Sequence, residues 1–347
     1  MSMSKLIKIL CMNNNNTVKR ILIVGYGNIG KRHSDIIKGL YPEIAIAVLR
    51  QSECNSIENC FVSIDEAIEF NPNMAIIANP SSLHIDIAMV LAKNSIHLLI
   101  EKPISNCTSN IQDLIDICVK KKVELKVAYN LRFLPCLQLF RNLIKQGKVG
   151  KVKTIQATVG QYLPDWRPKS DYRATVSAQK KLGGGVLLEL SHEIDYIQWI
   201  FGKVKCVTAI VSRQSDLDID VDDTASLLME IDGPMENKSI IASLNMDFIR
   251  HDTTRNCYAI GDKGTLSWDG VNGMVQYCPV ESNSFEVLYS NQMNRNYTYE
   301  QEIQAFIELI AGKDNTLQTS GVEGLRVVEV VEAARKSYSE KIFVNIQ

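Results

Sequence analysis

The sequence predicts an α/β protein with an N-terminal Rossmann domain, built on a doubly wound parallel sheet, and a C-terminal α+β domain with a large, mostly antiparallel sheet. Two patterns carry this prediction. Between residues 19 and 130, short apolar segments alternate with helical segments, which is typical of a parallel sheet with right-handed crossovers. Beyond residue 130, apolar and polar residues alternate along several segments that turn signals separate, which is typical of half-exposed antiparallel strands.

The first strand and helix contain the most informative motif of the chain. Four apolar residues, 21–24, run into three glycines with the spacing G-x-G-x-x-G. After a strand, the first glycine permits the turn, the second lets a pyrophosphate approach the backbone, and the third lets the helix pack closely. An ordinary glycine-rich turn is the alternative, but a motif that opens a βα series predicts a dinucleotide site at the helix start. Its predicted cofactor-binding residues are Gly25, Tyr26, Gly27, Asn28, Ile29 and Gly30.

The remaining elements follow from the same two periodicities. In the first domain, helices are predicted at 33–40, 64–70, 84–93 and 111–121, and strands at 44–49, 61–63, 74–78, 96–100 and 124–129. In the second, helices are predicted at 137–146, 187–201, 297–311 and 322–339, and strands at 152–163, 204–213, 224–231, 239–248, 255–260, 264–268 and 274–278. Residues 1–18 are predicted to be a flexible leader, 19–130 the Rossmann domain and 131–347 the second domain, with helix 322–339 packing back near the first.

Composition and charge limit the class of function. Hydrophobic residues make up 46% of the 347 and charged residues 22%, as in a soluble globular protein, and the net charge of -1 argues against a nucleic-acid partner. No apolar run reaches membrane-spanning length and no signal peptide is evident, so we expect no membrane partner and a cytoplasmic protein. The nine cysteines and five histidines are scattered, which predicts reduced thiols and no metal site.

Five segments occur together in the order that is known from one family of oxidoreductases. They are VGYGNIG at 24–30, IIANPSSLH at 76–84, EKPIS at 101–105, YNLRFLP with GKVGKV at 129–135 and 147–152, and GGGVLLELSHEIDYIQWIFG at 183–202. On these motifs, nearly the whole chain from residue 19 resembles the glucose–fructose oxidoreductase, inositol dehydrogenase and MocA (Gfo/Idh/MocA) family. Segment 321–337 is similar to the family's closing helix, and PDWRP and DYR resemble the branch found in bacterial surface-sugar gene clusters.

Lys102 and His192 are the main catalytic candidates. Lys102 ends a predicted parallel strand, which Pro103 stops, and ligands bind beyond such strand ends in open α/β sheets. A partly shielded lysine there can exchange protons, and the resemblance implies that it contacts the reacting hydroxyl. For His192 the resemblance implies a catalytic acid/base or a substrate ligand. A solvated loop lysine and a structural histidine are the alternatives.

The carboxylate near His192 departs from the family pattern. Many members carry aspartate four residues before the histidine, whereas this chain has Leu188 there and Glu189 three residues before it. Three residues apart on a helix, Glu189 and His192 would share a face, which Asp195 would continue. Glu189 is therefore a third catalytic candidate: either it takes the role of the aspartate, or the carboxylate role is absent.

The end of the second predicted strand indicates which nicotinamide cofactor is bound. NAD enzymes commonly place Asp or Glu there for the ribose 2′-hydroxyl, whereas this strand ends with Arg50, Gln51 and Ser52. An arginine suits a 2′-phosphate and Ser52 can donate to it, so NADP(H) is favoured and NAD(H) is the alternative. Glu53 complicates this prediction, because it could face solvent or turn inward. The other predicted cofactor-binding residues are Asn79, Pro80, His84, Glu101 and Lys102, with capping or packing as the alternative for His84.

The predicted substrate is a sugar, nucleotide sugar or polyol. Sugars bind by stacking on aromatic rings and by hydrogen bonds from fixed polar groups, and the loop with PDWRP and DYR supplies both, although surface loops share this composition. The glycines at 183–185 predict a mobile or closely approached backbone near the substrate. The resemblance implies substrate contacts for Lys102, Asn130, Arg132 and His192, and the loop adds Trp166, Arg167 and Tyr172 to the predicted substrate-binding residues.

The leading hypothesis for function is hydride transfer between a nicotinamide cofactor and a carbinol or keto carbon of this substrate. An NAD-dependent glycosidase that acts by transient oxidation, and a non-catalytic nucleotide-sensing regulator, are the alternatives. Lys102 and His192 argue against the regulator, because a sensor needs the glycine turn and not the proton chemistry. An open face of the antiparallel sheet suggests a homodimer or homotetramer.

Overall fold

The computed structural model describes residues 18–52, 57–233 and 239–346. The chain divides into two compact units. The first comprises residues up to 105, 109–130 and 296–322, and the second comprises 106–108, 131–295 and the residues from 323 onward. The predicted leader lies outside the described residues except for Val18, which is buried in the first unit.

The described residues form sixteen strands and nine α-helices, together with six short 3-10 helices. The strands are β1 (Arg20–Val24), β2 (Ala45–Leu49), β3 (Cys60–Phe61), β4 (Met74–Ile77), β5 (His97–Ile100), β6 (Leu125–Val127), β7 (Val152–Gly160), β8 (Val204–Ser212), β9 (Thr224–Ile231), β10 (Ile240–Asp247), β11 (Thr254–Gly261), β12 (Gly264–Asp269), β13 (Met274–Pro279), β14 (Glu286–Ser290), β15 (Thr319–Ser320) and β16 (Val344–Asn345). The helices are α1 (Asn28–Leu40), α2 (Ile64–Glu69), α3 (His84–Lys93), α4 (Ile111–Lys121), α5 (Pro135–Lys145), α6 (Val186–Glu189), α7 (His192–Phe201), α8 (Tyr297–Ile310) and α9 (Gly321–Glu340).

The sheet of the first unit has the strand order of a doubly wound Rossmann fold. Its strands lie in the order β3-β2-β1-β4-β5-β6-β15 and all are parallel except β15. The chain runs outward from β1 through β2 to β3 and then crosses to β4 on the other side of β1, so the loops after β1 and β4 meet at the point where the strand order reverses. This edge of the sheet is where ligands bind in such folds.

Residues 296–322 belong to the first unit, although the domain prediction placed them in the second domain. Along α8, the side chains of Ile303, Phe306 and Ile310 join the apolar cluster that contains Ile21 and Ile37. β15 adds an antiparallel edge strand beside β6. A linear pattern of apolar residues predicts the helix but does not reveal which core it joins. The predicted packing of helix 322–339 near the first domain stays a prediction.

The sheet of the second unit has nine strands among the described residues, in the order β14-β13-β12-β11-β7-β10-β9-β8-β16. Neighbouring strands are antiparallel except β7 and β10, which run parallel. β10 alternates between buried and more exposed residues along its length, the pattern from which it was predicted. The predicted fold class, a parallel Rossmann sheet and a mostly antiparallel second sheet, is confirmed. Strands β14, β15 and β16 were not predicted, because they are short or largely exposed.

The helix predicted over 187–201 is wrong in one respect, since two helices occupy this segment. α6 ends at Glu189 and α7 begins at His192, with Leu190 and Ser191 between them. Leu190 has φ -99° and ψ 22°, which takes the backbone out of the α-helical region. Glu189 and His192 therefore do not lie on one face of a continuous helix. Leucine and serine are both compatible with a helix, so the sequence carries no signal for this break.

No helix in the described ranges is both long enough and apolar enough to cross a membrane. Within the same ranges, no group of three or more His, Cys, Asp or Glu side chains is placed to hold a metal ion. The seven cysteines of the described part of the chain are free thiols.

Candidate functional site

The three glycines of the G-x-G-x-x-G motif have three different local geometries. Gly25 has φ +86°, and a Cβ built on it would lie 2.7 Å from the backbone nitrogen of Asn79. A Cβ on Gly30 would overlap the carbonyl oxygen of Gly25, so the helix reaches this close to the turn only without a side chain. A Cβ on Gly27 would meet no described atom within 4 Å. The turn is tight, the helix is close, and the space over Gly27 is open, as a bound pyrophosphate requires.

The start of α1 is suited to hold an anionic group. Gly27 is its N-cap residue, no side chain accepts a hydrogen bond there, and the first turn contains no acidic residue. The N–H groups of this turn carry the positive end of the helix dipole. In the loop after β4, the Oδ1 atom of Asn79 is buried and has no hydrogen-bond partner among the described residues. These features fit a dinucleotide, whose phosphates would take the N–H groups of the turn.

Arg50 lies beside this turn, because β2 is the neighbour of β1. The Gly25 N–H donates to the Leu49 carbonyl at 2.8 Å, and the Arg50 N–H donates to the Phe61 carbonyl at 3.0 Å. The side chain of Arg50 is half-buried and that of Ser52 is exposed. Glu53, which complicates the cofactor prediction, lies outside the described residues. The structure thus places Arg50 at the strand end where the adenosine ribose lies in Rossmann proteins.

His84 connects two loops of the first unit. It is buried at the start of α3, with Nδ1 3.0 Å from the Pro103 carbonyl oxygen and Nε2 2.9 Å from the Asn79 carbonyl oxygen. Burial lowers the pKa of the imidazole, and the two carbonyl contacts oppose this effect. Both ring nitrogens are thus taken by the protein, which favours the packing role over a direct cofactor contact. Pro80 precedes a single 3-10 turn that leads into α3.

The EKP motif follows β5 directly, and its Lys102–Pro103 peptide bond is cis. The Glu101 carboxylate accepts a hydrogen bond from the Lys102 N–H at 3.2 Å and lies 2.7 Å from Nε2 of His33 on α1. Burial opposes ionisation of Glu101, but the His33 hydrogen bond and the charges of His33 and Lys102 together hold the pKa of the carboxyl below its ordinary value. The sequence prediction missed His33. The available signal was a histidine three residues after Gly30, on the face of α1 that Gly30 shares.

The carboxylate of Glu189 is held by a hydroxyl group. Ser177 Oγ donates to Glu189 Oε2 at 2.9 Å, and the Ser177 side chain is buried. Glu189 ends α6 and His192, which is half-buried, begins α7. The interaction links the end of α6 to the 3-10 turn at 176–178, twelve positions earlier in the chain. The predicted pairing of Glu189 with His192 stays a prediction.

Arg132 is buried in an ion-pair cluster of the second unit. Its Nε and Nη2 donate to the Asp195 carboxylate at 3.0 and 2.7 Å, and its Nη1 donates to Glu323 at 2.8 Å. Burial disfavours the charge, but the two carboxylates outweigh burial and raise the pKa of the guanidinium. Only 2% of the Arg132 side chain is exposed. The predicted contact of Arg132 with the substrate is therefore not supported, because its guanidinium is paired with Asp195. Asp195 had been predicted to share a helix face with His192.

We expect Arg132→Met to lower the free energy of unfolding by about 3 kcal/mol, because it leaves the buried Asp195 without a partner. The value lies at the low end for broken buried pairs, since Glu323 is 33% exposed and can turn to solvent. Urea unfolding of wild type and variant measures this loss. Arg141→Met is the matched control, because Arg141 packs on the ring of Trp199 and forms no ion pair with a described residue. Unchanged stability in Arg132→Met, with a raised KM for substrate, would restore the substrate role.

The loop residues predicted to bind sugar already have contacts within the second unit. Trp166 packs edge-on against Phe248 at 5.2 Å, and its Nε1 donates to the Gln161 carbonyl at 3.1 Å. Tyr172 Oη accepts from the Asp218 N–H at 3.2 Å. Both side chains are half-buried, as is that of Arg167. These contacts attach the loop to the rest of the second unit, and the rings of Trp166 and Tyr172 each keep part of their surface exposed.

Asn130 is buried in the first unit. Its Nδ2 donates to Thr298 Oγ1 on α8 at 2.9 Å. The same α8 belongs to the core of that unit. Asn130 thus anchors the end of the parallel sheet to α8, and its predicted substrate contact stays a prediction.

The glycines before α6 are needed for close approach of the backbone. Gly185 has φ +108°, and a Cβ on it would lie 2.8 Å from Oδ1 of Asp222. A Cβ on Gly184 would overlap the Val176 carbonyl oxygen. Asp222 also accepts a hydrogen bond from the Leu187 N–H at 3.3 Å. The predicted close approach is therefore found, with Asp222 and the 176–179 loop as the neighbours.

Comparison with known protein families gives two matches. Residues 19–129 match the family described as "Oxidoreductase family, NAD-binding Rossmann fold", and residues 137–267 match the "GFO/IDH/MocA C-terminal domain". Inositol 2-dehydrogenase of Rhizobium meliloti is 25% identical over 94% of this chain and 99% of its own length. Levoglucosan dehydrogenase of Pseudarthrobacter phenanthrenivorans is 25% identical over 213 residues, and the chain spans about half of that protein, 53%.

Solved structures agree with the fold described above. A levoglucosan dehydrogenase in complex with NADH superposes with a TM-score of 0.80 at 18% identity, covering 95% of this chain and 99% of that one. The WlbA dehydrogenase from Bordetella pertussis, in complex with NADH and UDP-GlcNAcA, gives a TM-score of 0.77 at 20% identity, over 94% and 98% of the two chains. At this level of identity the superpositions establish the fold.

Proposed function

Because the chain belongs to the Gfo/Idh/MocA family of oxidoreductases with an NAD-binding Rossmann fold, we propose that it transfers hydride between a nicotinamide cofactor and a carbinol or keto carbon of a sugar, nucleotide sugar or polyol. The observation that carries the proposal is the glycine turn: Gly25 at φ +86°, open space over Gly27, and a helix start without a side-chain cap. Relatives named as inositol and levoglucosan dehydrogenases support the substrate class.

The roles of the chain's own residues follow from their chemistry. When bound, the nicotinamide would accept or supply the hydride. Lys102, directly after β5, is proposed to hold the reacting hydroxyl and to exchange its proton. His192 is proposed as the acid/base or substrate ligand of the second unit, with Glu189 as a candidate carboxylate. The N–H groups at the start of α1 would hold the phosphates, with Asn79 beside the turn.

A screen of substrates tests this proposal. Free sugars, polyols and nucleotide sugars are incubated with NAD(H) and NADP(H), and the absorbance of the reduced nicotinamide is followed. We expect turnover with at least one carbohydrate and none with cofactor alone. Cofactor binding without turnover on any carbohydrate would favour the nucleotide-sensing regulator, and release of sugar without net cofactor reduction would favour the NAD-dependent glycosidase.

We propose NADP(H) as the preferred cofactor, with Arg50 as the contact to the 2′-phosphate. Arg50→Ala should then weaken NADP(H) binding by about 1.5–3 kcal/mol, the usual contribution of a hydrogen bond to a charged group, and change NAD(H) binding little. Fluorescence titration of both cofactors measures this difference. Arg20→Ala, at the opposite end of β1, is the control. An NAD(H) preference that Arg50→Ala leaves unchanged would contradict the assignment.

A cytoplasmic location and a homodimer or homotetramer complete the proposal. The location is proposed from the scattered cysteines of the sequence, and the oligomeric state from the open sheet face. Among the residues of that face, Ile210, Leu228 and Ile241 are large, apolar and exposed on β8, β9 and β10. Size-exclusion chromatography with light scattering measures the oligomeric state.

A further inference from the structure

His33 and Glu101 form a close pair, and the cofactor contact predicted for Glu101 does not account for it. Nε2 of His33 lies 2.7 Å from Oε1 of Glu101, and the two side chains are 0% and 13% exposed. His33 lies on α1, three residues after the last glycine of the turn, and Glu101 directly precedes Lys102. The pair therefore joins the helix that opens at the dinucleotide turn to the segment that carries the proposed catalytic lysine.

We infer that His33 is a positioning residue for Lys102: its hydrogen bond holds the Glu101 carboxylate where the other oxygen accepts the Lys102 N–H. The second contact, from the Lys102 N–H to Glu101 Oε2, is 3.2 Å long. A carboxylate that could rotate freely would give up this acceptor position, and the backbone at Lys102 would lose one fixed contact. The inference rests on the proposed function, because Lys102 needs a fixed position only if it acts on the substrate.

The surroundings of His33 indicate which nitrogen carries the proton. An ionised carboxylate only accepts, so Nε2 must donate to Glu101. Nδ1 is buried and has no hydrogen-bond partner among the described residues, so a proton there would be an unsatisfied donor that costs about 1–3 kcal/mol. The ring of Tyr299 on α8 packs edge-on against the imidazole at 5.7 Å. The titratable and charged groups around the pair are Arg32 on α1, His84 at the start of α3, Lys102 in the EKP segment, and Tyr299 and Glu302 on α8.

The pair also determines how the site responds to pH. Burial alone would raise the pKa of Glu101, but the hydrogen bond from His33, the electrostatic interaction with that ring and the charge of Lys102 reverse this and hold the pKa below its ordinary value of 4.5. As the pH falls, the Glu101 carboxylate of the wild type thus stays ionised until the pH is below 4.5, and until then it accepts the hydrogen bond from the Lys102 N–H. Without His33 the effect of burial remains, so the pKa of Glu101 rises and the contact is lost at a higher pH. The acidic limb of the pH–rate profile should move upward accordingly.

The test compares His33→Leu, which removes the donor, with His33→Gln, which keeps an N–H at the same reach. We expect His33→Leu to lower kcat by about 10- to 100-fold, the effect of displacing a reacting group by up to about 1 Å. Cofactor affinity should change little, the acidic limb should move to higher pH, and His33→Gln should recover most of kcat. His97→Gln is the matched control, because His97 is a half-buried histidine at the other end of β5 that accepts from the Glu124 N–H.

A second measurement separates this inference from the proposed function. NMR of ¹³C-labelled glutamate side chains follows the titration of Glu101 without any substrate, and Glu101→Gln assigns its signal. A pKa of Glu101 that rises in His33→Leu, and a lowered kcat, support the positioning role. An unchanged titration of Glu101, or a His33→Leu enzyme with normal kcat and pH profile, would overturn it. Absence of turnover in the wild type would instead contradict the proposed function. If His33→Leu does not fold, the same measurements are made on His33→Phe, which keeps a ring against Tyr299 but has no donor.

Discussion

We expect Lys102→Met to abolish turnover and to leave cofactor binding intact. Methionine keeps the length of the side chain but has no ammonium group, so it can neither donate to the reacting hydroxyl nor exchange its proton. Loss of a positioned acid/base costs about 10²- to 10⁴-fold in rate, and loss of the substrate contact adds to this. The turnover number is measured at the nicotinamide absorbance, and the dissociation constant of the reduced cofactor by fluorescence.

Lys93→Met is the matched control for this prediction. Lys93 is an exposed lysine at the end of α3, in the same unit. It should keep both turnover and cofactor affinity. A near-normal turnover number and normal cofactor affinity for Lys102→Met would show that Lys102 is an ordinary loop residue. Weak cofactor binding, with a normal turnover number at saturating cofactor, would show that Lys102 only binds the cofactor.

His192→Ala should lower kcat/KM by about 10²- to 10⁴-fold, or roughly 2.7–5.5 kcal/mol. The imidazole at the start of α7 is the one group of the second unit proposed to exchange a proton with substrate. His251→Ala is the control, because His251 is an exposed histidine of the same unit whose ring packs at a tilt against Tyr162. A His192→Ala enzyme close to wild type would remove α7 from the proposed site.

Glu189→Gln tests the carboxylate role at the same place. The Ser177 hydroxyl holds Glu189 Oε2 at 2.9 Å, so the amide of glutamine can keep this contact and only the charge is lost. We expect a smaller loss of kcat/KM than for His192→Ala, together with a displaced limb of the pH–rate profile. An unchanged rate and profile would show that Glu189 stabilises the 177–189 region and that the usual aspartate role is absent from this chain.

The fold could be predicted from the sequence because its signals are local. Ile21 to Val24 form a continuous apolar run, and the strand they predict is buried, while the alternation along β10 predicts a strand with one buried face. The glycine turn was predictable because its spacing is a local signal: Gly25 takes a positive φ, and Gly30 packs against Gly25 within the same turn. The contact of Gly25 with Asn79, in the loop after β4, has no such local signal. Element boundaries within such runs follow from a few adjacent residues.

The contacts that the sequence could not predict join residues far apart in the chain. Arg132 pairs with Asp195 and Glu323, so an arginine of the YNLRFLP motif became a substrate candidate although its guanidinium is engaged within the protein. His33 and Glu101 are 68 positions apart and belong to two separate motifs. The periodicity of apolar residues predicts which face of a helix or strand is buried. It does not predict which side chain of another element lies opposite that face.

Transfer of deuterium from a reduced cofactor that carries deuterium at both positions of the nicotinamide C4 tests the central claim most directly. A keto sugar that turns over in the substrate screen is incubated with enzyme and labelled cofactor, and the product is analysed by mass spectrometry and NMR. The proposed oxidoreductase predicts one deuterium on the carbon that gains the hydroxyl, with stoichiometric release of oxidised cofactor. Deuterium that is absent from the product, or a cleaved glycosidic bond with the label returned to a cofactor that is never released, would contradict hydride transfer as the net reaction.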